Sequence, residues 1–196
     1  MMRSTAWGAA TLLALAAVGT ARASAVVGQP APGFTLQDQD GHETDLAKLR
    51  GKIVVLEWTN PDCPFVQRHY GAKTMKTLAD RFRDRDVVWL AVNSTSYMDA
   101  ARDRAWRTQQ GFSYPVLDDH AGTVGTAYGA KTTPHMFIID RSGTVVYGGA
   151  IDDDAAGAKG AEARNYVADA LEEVAAGKPV LVAETKPYGC SVKYAK

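Results

Sequence analysis

Two cysteines and little else in this chain have the chemistry of a soft nucleophile, and they stand 127 positions apart, at Cys63 and Cys190. Cys63 lies in the turn Thr59-Asn60-Pro61-Asp62-Cys63-Pro64-Phe65-Val66, directly after the apolar run Lys52 to Trp58. Proline at the first helical position is pre-set for helix and wastes no amide, so Pro64 marks a helix start and Cys63 its N-cap. A thiol there sits beside unpaired amides and the positive end of the helix dipole. That placement lowers its pKa and makes a thiolate nucleophile near neutral pH. The expectation is a bare, acidic, working sulfur; the alternative is a small buried hydrophobe, the usual fate of a free cysteine.

Both cysteines fall after a segment that reads as a secretory leader. Met1-Met2-Arg3 is a positive start, Ala6 to Val18 is apolar, and Ala21-Arg22-Ala23 offers small-x-small cleavage before Ser24, with a cut after Ala25 as the alternative. The apolar stretch falls short of the ~20 residues that span a bilayer. The expected division is a signal peptide at 1–23 and one domain at 24–196, ending in a Cys-containing tail. A periplasmic or secreted location follows, with no membrane contact in the mature form. An oxidising compartment permits a Cys63–Cys190 disulfide, whether structural or redox-active.

The 22 basic and 22 acidic side chains balance, and removing the leader takes away two arginines and no acid, leaving −2. Nothing in that balance suggests a nucleic-acid or anionic-membrane partner. Two such distant cysteines cannot hold zinc unaided, and no cofactor is expected.

The elements that must position these residues alternate between apolar runs and helical patterns. Gly33 to Leu36, Lys52 to Trp58, Val87 to Val92, Pro115 to Leu117, His135 to Ile139 and Thr144 to Tyr147 read as strands. Leu46 to Leu49 reads as one helical turn. Pro64 to Arg83, with the stripe Met75, Leu78, Ala79 and Phe82, reads as one helix. Met98 to Gln110, Thr123 to Tyr128 and a terminal helix through Ala163 and Val174, stopped by Gly177 and Pro179, complete the set. Trp58 and Trp89 belong to the core. This pattern implies a βαβ core closed by a hairpin and a terminal helix. Ligands in such sheets are met at the carboxyl ends of strands, where Cys63 stands. The predicted fold class is α/β of thioredoxin type, a central mixed β-sheet flanked by helices.

The turn around Cys63, the segment Gly129-Ala130-Lys131-Thr132-Thr133-Pro134-His135, residues Tyr147 to Asp153 and the tail Tyr188-Gly189-Cys190-Ser191-Val192-Lys193 together resemble the redoxin superfamily (AhpC/TSA, peroxiredoxin-like). The likeness is to its exported thioredoxin-fold members with a Cys-Pro-Phe/Tyr-Val turn. The resemblance implies a cis Thr133–Pro134 bond facing the active cysteine, with Thr133, Pro134 and Asn60 at the substrate. It implies a thiol-dependent oxidoreductase in which Cys63 attacks a peroxide or a substrate disulfide. Cys190 is the candidate resolving thiol, and an external thiol reductant would reopen the bond.

The departures are specific. There is no Cys-x-x-Cys, since Asn60 lies three before Cys63 and Val66 three after it. In the peroxiredoxin pattern Pro-x-x-x-Thr-x-x-Cys, Asn60 stands at the threonine and Leu56 at the proline. Asparagine cannot both donate and accept through one atom as a hydroxyl does. Cys190 lies on a glycine-containing tail where movement is cheap, or else it is buried and inert.

Other residues admit two readings. His69, six positions past Cys63, points to another helix face and reads as structural. His135 either approaches the active turn or is aimed away by strand alternation. Cys63 with His135, and with Met136 or Cys190, offers a copper-handling alternative; a redox-inactive scaffold is the third possibility. Asp152-Asp153-Asp154 reads as a solvated loop, and Arg68, Arg81, Arg83 and Arg85 as a solvated helix face and its end.

Overall fold

Strand β3 (Ile53–Trp58) is buried at every position because it is the middle of a five-stranded sheet and has a layer packed on each face. The computed structural model describes residues 25–195; the expected leader at 1–23 lies outside the described residues. β3 pairs parallel with β4 (Val87–Asn93), which pairs parallel with β5 (Val116–Asp118). On its other side β3 pairs antiparallel with β7 (His135–Ile139), and β7 with β8 (Val145–Gly149). The sheet order β5-β4-β3-β7-β8 is therefore the predicted mixed sheet.

Successive side chains of a strand alternate between faces, and two apolar clusters result. Ile53 and Val55 of β3, with Trp89, Met136 and Ile138, pack under helices α1 (Pro64–Gly71), α2 (Thr74–Phe82) and α5 (Tyr166–Ala175). Val54, Leu56 and Trp58, with Leu90, Val92, Phe137 and Ile139, pack against Phe34, Leu46 and helix α4 (Thr123–Tyr128). Cys63 belongs to the first face. Trp58 and Trp89 are core, as expected.

The single helix expected from Pro64 to Arg83 is two. Lys73 takes a left-handed conformation, φ 57°, and separates α1 from α2. The reason is phase. α1 buries Val66 and Tyr70, whereas α2 buries Met75, Leu78 and Phe82. Val66 and Met75 are nine residues apart, about 900° on a continuous helix, so one would face solvent when the other faced the sheet. Breaking the helix at Ala72–Lys73 brings both stripes onto the core.

Helix α3 (Ala100–Gln110) starts where Asp99 accepts the Arg102 amide at 2.9 Å. α5 starts at Tyr166, later than expected, because Asn165 caps it through the Ala168 amide at 2.8 Å. Polar Glu43–Asp45 forms a strand β2 against β1 (Thr35–Gln37) that apolar periodicity does not signal.

The tail is also a strand. Cys190–Ser191 (β9) pairs antiparallel with Thr132–Thr133 (β6), Cys190 opposite Thr133. The expected freely moving tail is thus docked. Gly189, at φ 138°, permits this, since a side chain there would run into the Thr133 carbonyl. No described helix is long and apolar enough to cross a membrane.

Gly189→Ala is expected to lift β9 from β6 and to destabilise the protein by on the order of 1–3 kcal/mol. Urea unfolding checks this, and a midpoint equal to that of the unsubstituted protein would contradict the docking.

Candidate functional site

The turn that carries Cys63 is shaped by Asn60. Its side-chain oxygen accepts the Asp62 amide at 2.9 Å, its backbone oxygen accepts the Cys63 amide at 3.0 Å, and its Nδ2 donates to the Tyr97 hydroxyl at 3.2 Å. Cys63 then caps α1, at φ −80° and ψ 121°, with Pro64 following. The Thr133–Pro134 bond is cis, as the resemblance implied. It faces the sulfur: Cys63 Sγ donates to the Thr133 carbonyl oxygen at 2.9 Å.

Cys63 is only 1% exposed. The expectation of a bare sulfur is corrected here, because the docked tail brings Cys190 over the helix amino end. Burial opposes ionisation of Cys63, but the Thr133 side chain, the Cys190 thiol, and the Val66 and Cys190 amides favour it, and its pKa lies below the ordinary thiol value. The two protonation states use different partners. The protonated thiol points at the Thr133 carbonyl and makes no capping bond. A thiolate cannot donate, so the amides become its partners. The buried Thr133 hydroxyl has no partner among the described residues and is free to turn to the sulfur.

Cys190 is half-buried, and both cysteines are free thiols. Burial first, then the neighbouring Cys63, pushes the Cys190 pKa up to about 11. The two sulfurs therefore divide the work: one is disposed to ionise and the other to hold its proton.

His135 is aimed away. It shares a face with Phe137, whose ring is 4.5 Å from its own, and its Nδ1 accepts the Lys131 amide at 3.2 Å. Burial, then Lys131, pulls its pKa down to about 4. Cys63 lies on the opposite face of the sheet with Met136. The copper set of Cys63 and His135 is thus split by the sheet. Asp38, Asp40 and His42 bring three ligand atoms within 4.8 Å of one another. Asp38 already accepts the Asp40 and His42 amides there, which makes the group a turn.

Next to Cys190 lies a polar cluster that the sequence did not reveal. The Tyr188 hydroxyl meets Asp152, His69 Nε2 at 3.0 Å and Arg68 at 3.3 Å. His69 is buried and structural, as expected. Two expectations are corrected. Asp152 and Asp154 are buried, not solvated, and Asp154 accepts the amides of Ala158, Lys159 and Gly160. Arg68 is half-buried, donates to the Asp154 carbonyl at 2.8 Å and lies over the Phe65 ring. The other three arginines stay near the surface: Arg81 and Arg85 pair with Glu172, and Arg83 with Asp80.

Glu57 was also missed, although a carboxyl inside an apolar strand is itself a signal. It is fully buried on the Cys63 face, and its Oε2 accepts from Trp89 Nε1 at 2.9 Å. Its Oε1 has no hydrogen-bond partner among the described residues. The Tyr70 hydroxyl nearby is engaged with Tyr114 at 2.9 Å. Desolvation raises the Glu57 pKa to about 7, against the lowering effect of Trp89 and Tyr70.

The profile of the AhpC/TSA family matches residues 27–148, which includes Cys63 and Thr133 but stops short of Cys190. The chain is 32% identical over 142 residues to the thiol-disulfide oxidoreductase ResA of Geobacillus kaustophilus, covering 68% of this chain and 79% of that protein. It is 28% identical over 135 residues to a Mycobacterium tuberculosis protein provisionally named a peroxiredoxin, covering 61% of this chain and 81% of the other. A hypothetical protein of Sinorhizobium meliloti superposes with a TM-score of 0.77 at 26% identity, over 88% of this chain and 96% of its own.

Thr133→Val, which removes the unspent hydroxyl, is expected to raise the pH midpoint of Cys63 alkylation; an unmoved midpoint would remove Thr133 from the site. Glu57 makes a separate prediction. Its folded pKa of about 7 exceeds the ordinary carboxyl value of 4.5, so stability should fall as pH rises between those values and level off above about 7. Glu57→Gln should flatten that slope and add on the order of 3 kcal/mol at pH 8. Chemical denaturation at pH 5 and pH 8 measures both.

Proposed function

The chain belongs to the AhpC/TSA family, and on that premise we propose that it is a thiol oxidoreductase whose working sulfur is Cys63. The observation that carries the reading is the two free thiols held together beside the Thr133–Pro134 bond, with opposite pKa shifts. An acidic thiol backed by a less acidic one is the arrangement that a two-step redox cycle needs. A redox-inactive scaffold would have no use for it.

In the first step the Cys63 thiolate attacks a peroxide oxygen, breaking the O–O bond and releasing alkoxide or hydroxide, or a sulfur of a substrate disulfide, breaking the S–S bond and releasing one half as thiolate. The Thr133 hydroxyl supports the negative charge before attack. Asn60 contributes by holding the turn, and Pro134 by presenting the Thr133 carbonyl to the sulfur. In the second step Cys190 displaces hydroxide from the sulfenic acid, or the substrate thiol from the mixed disulfide, and the Cys63–Cys190 bond forms. Its proton leaves with the displaced group. An external thiol reductant then reopens the bond, so both sulfurs return to the thiol state. No step calls for a metal or an organic cofactor.

The leader pattern supports export of residues 24–196 as one domain to the periplasm or beyond the cell. A Cys63–Cys190 couple suits such an oxidising compartment.

The reading is tested by turnover of peroxide and of disulfide in single-cysteine variants. Cys63→Ser should abolish both, and Cys190→Ser should stop the cycle at a sulfenate or mixed disulfide on Cys63 that mass spectrometry detects. Full turnover by Cys63→Ser would overturn the assignment.

A further inference from the structure

The tail segment 188–194 is fastened at both ends, and Cys190 lies between the fastenings. At one end the Tyr188 hydroxyl is held by Asp152, His69 and Arg68, and its ring is 5.9 Å from that of Phe65. Arg68 and His69 lie on the helix that Cys63 begins, so this end is referenced to the nucleophile's own element. At the other end the Tyr194 hydroxyl donates to the Ala130 carbonyl at 2.9 Å. Its ring fills the space left by two glycines; a side chain on Gly125 would start 2.6 Å from the Tyr194 oxygen. Between these ends Val192 donates to the Lys131 carbonyl at 3.1 Å, and Lys193 accepts the Ser96 amide at 2.9 Å.

We propose that this segment is a strap that sets the size of the oxidant Cys63 can meet: a hydroperoxide reaches the sulfur, and a polypeptide disulfide does not until the strap is unfastened. The proposal rests on the thiol oxidoreductase reading and names its substrate class. Displacement at sulfur needs the attacked disulfide in line with Cys63 Sγ, and a polypeptide disulfide brings backbone on both sides. The backbone beside that sulfur is Thr132–Thr133, and its pairing positions are taken by Cys190–Ser191. The covered residue, Cys63, is 1% exposed. A hydroperoxide carries only two oxygens to the sulfur and makes no demand on that edge.

The chemistry balances for this substrate. The Cys63 thiolate bonds to one peroxide oxygen, the O–O bond breaks, and the departing alkoxide takes up a proton to leave as alcohol or, from hydrogen peroxide, as water. Cys63 is now a sulfenic acid. Cys190 forms the disulfide with loss of water. Two external thiols restore the reduced pair and leave as their own disulfide.

The test reads the first step alone, in a Cys190→Ser background. Hydrogen peroxide is the small probe, and the sulfenate is scored as a dimedone adduct. Insulin is the polypeptide probe, scored as a mixed disulfide on a non-reducing gel. Tyr188→Phe with Tyr194→Phe should raise the rate with insulin at least tenfold and leave the rate with peroxide within threefold. An insulin rate that the double substitution leaves unchanged overturns the strap, as does a peroxide rate that rises in parallel. Should circular dichroism show the double variant unfolded, Tyr188→Phe alone, which keeps its ring on Phe65, is scored by the same criteria. If neither probe marks Cys63 with the strap fastened or loosened, the oxidoreductase reading fails. If insulin marks the fastened protein as fast as the loosened one, only the strap fails.

Discussion

Thr133 is gripped from two sides, and the site exists because of that grip. Its carbonyl oxygen takes the Cys63 S–H at 2.9 Å, its backbone stands opposite Cys190 in the β6–β9 ladder, and its hydroxyl is unspent. Remove the docked tail and Cys63 loses both its cover and its partner thiol. One residue thus ties the strand-to-helix turn, the strand entrance and the tail into a single device.

That device stands on a sheet buried on both faces, and the sheet sets a demanding rule for every polar group. A buried polar atom without a partner costs free energy, and a buried charge costs more. Most groups near the site meet the rule: Trp58 donates to Ser94 at 3.0 Å, and Asp119 gathers Ser94 and the first amides of α4. Glu57 meets it halfway, with one oxygen bonded and the other not, and its pKa near 7 is the consequence. It is a protonatable group inside the layer that supports Cys63.

The cluster around Tyr188 works by the same rule in the opposite direction. Arg68, His69 and Asp152 would each be costly alone at their burial, and together they satisfy one another around a single hydroxyl. Such a network holds only if every member arrives in register. It draws on helix α1, the loop after β8 and the tail, so it forms only when all three are in place. The tail position and the integrity of that face are therefore linked.

Residue order alone determined the strand-turn-helix around Cys63, because Pro64 after an apolar run can be little else. It also determined most of the strands and the mixed α/β sheet, since their apolar periods are local. Even the cis state of Thr133–Pro134 followed from the resemblance that the motifs carry. What tertiary structure decided depends on partners distant in sequence. Residues 64–83 broke into two helices because both apolar stripes had to face one sheet. His135 turned away because the strand register, set by Trp58 opposite it, assigns alternate residues to opposite faces. Asp152 and Asp154 went inside because Tyr188 and a ring of amides awaited them. Cys63 was covered, and Cys190 brought to it, by a β-ladder whose two strands lie some sixty residues apart. No local period encodes a contact of that kind.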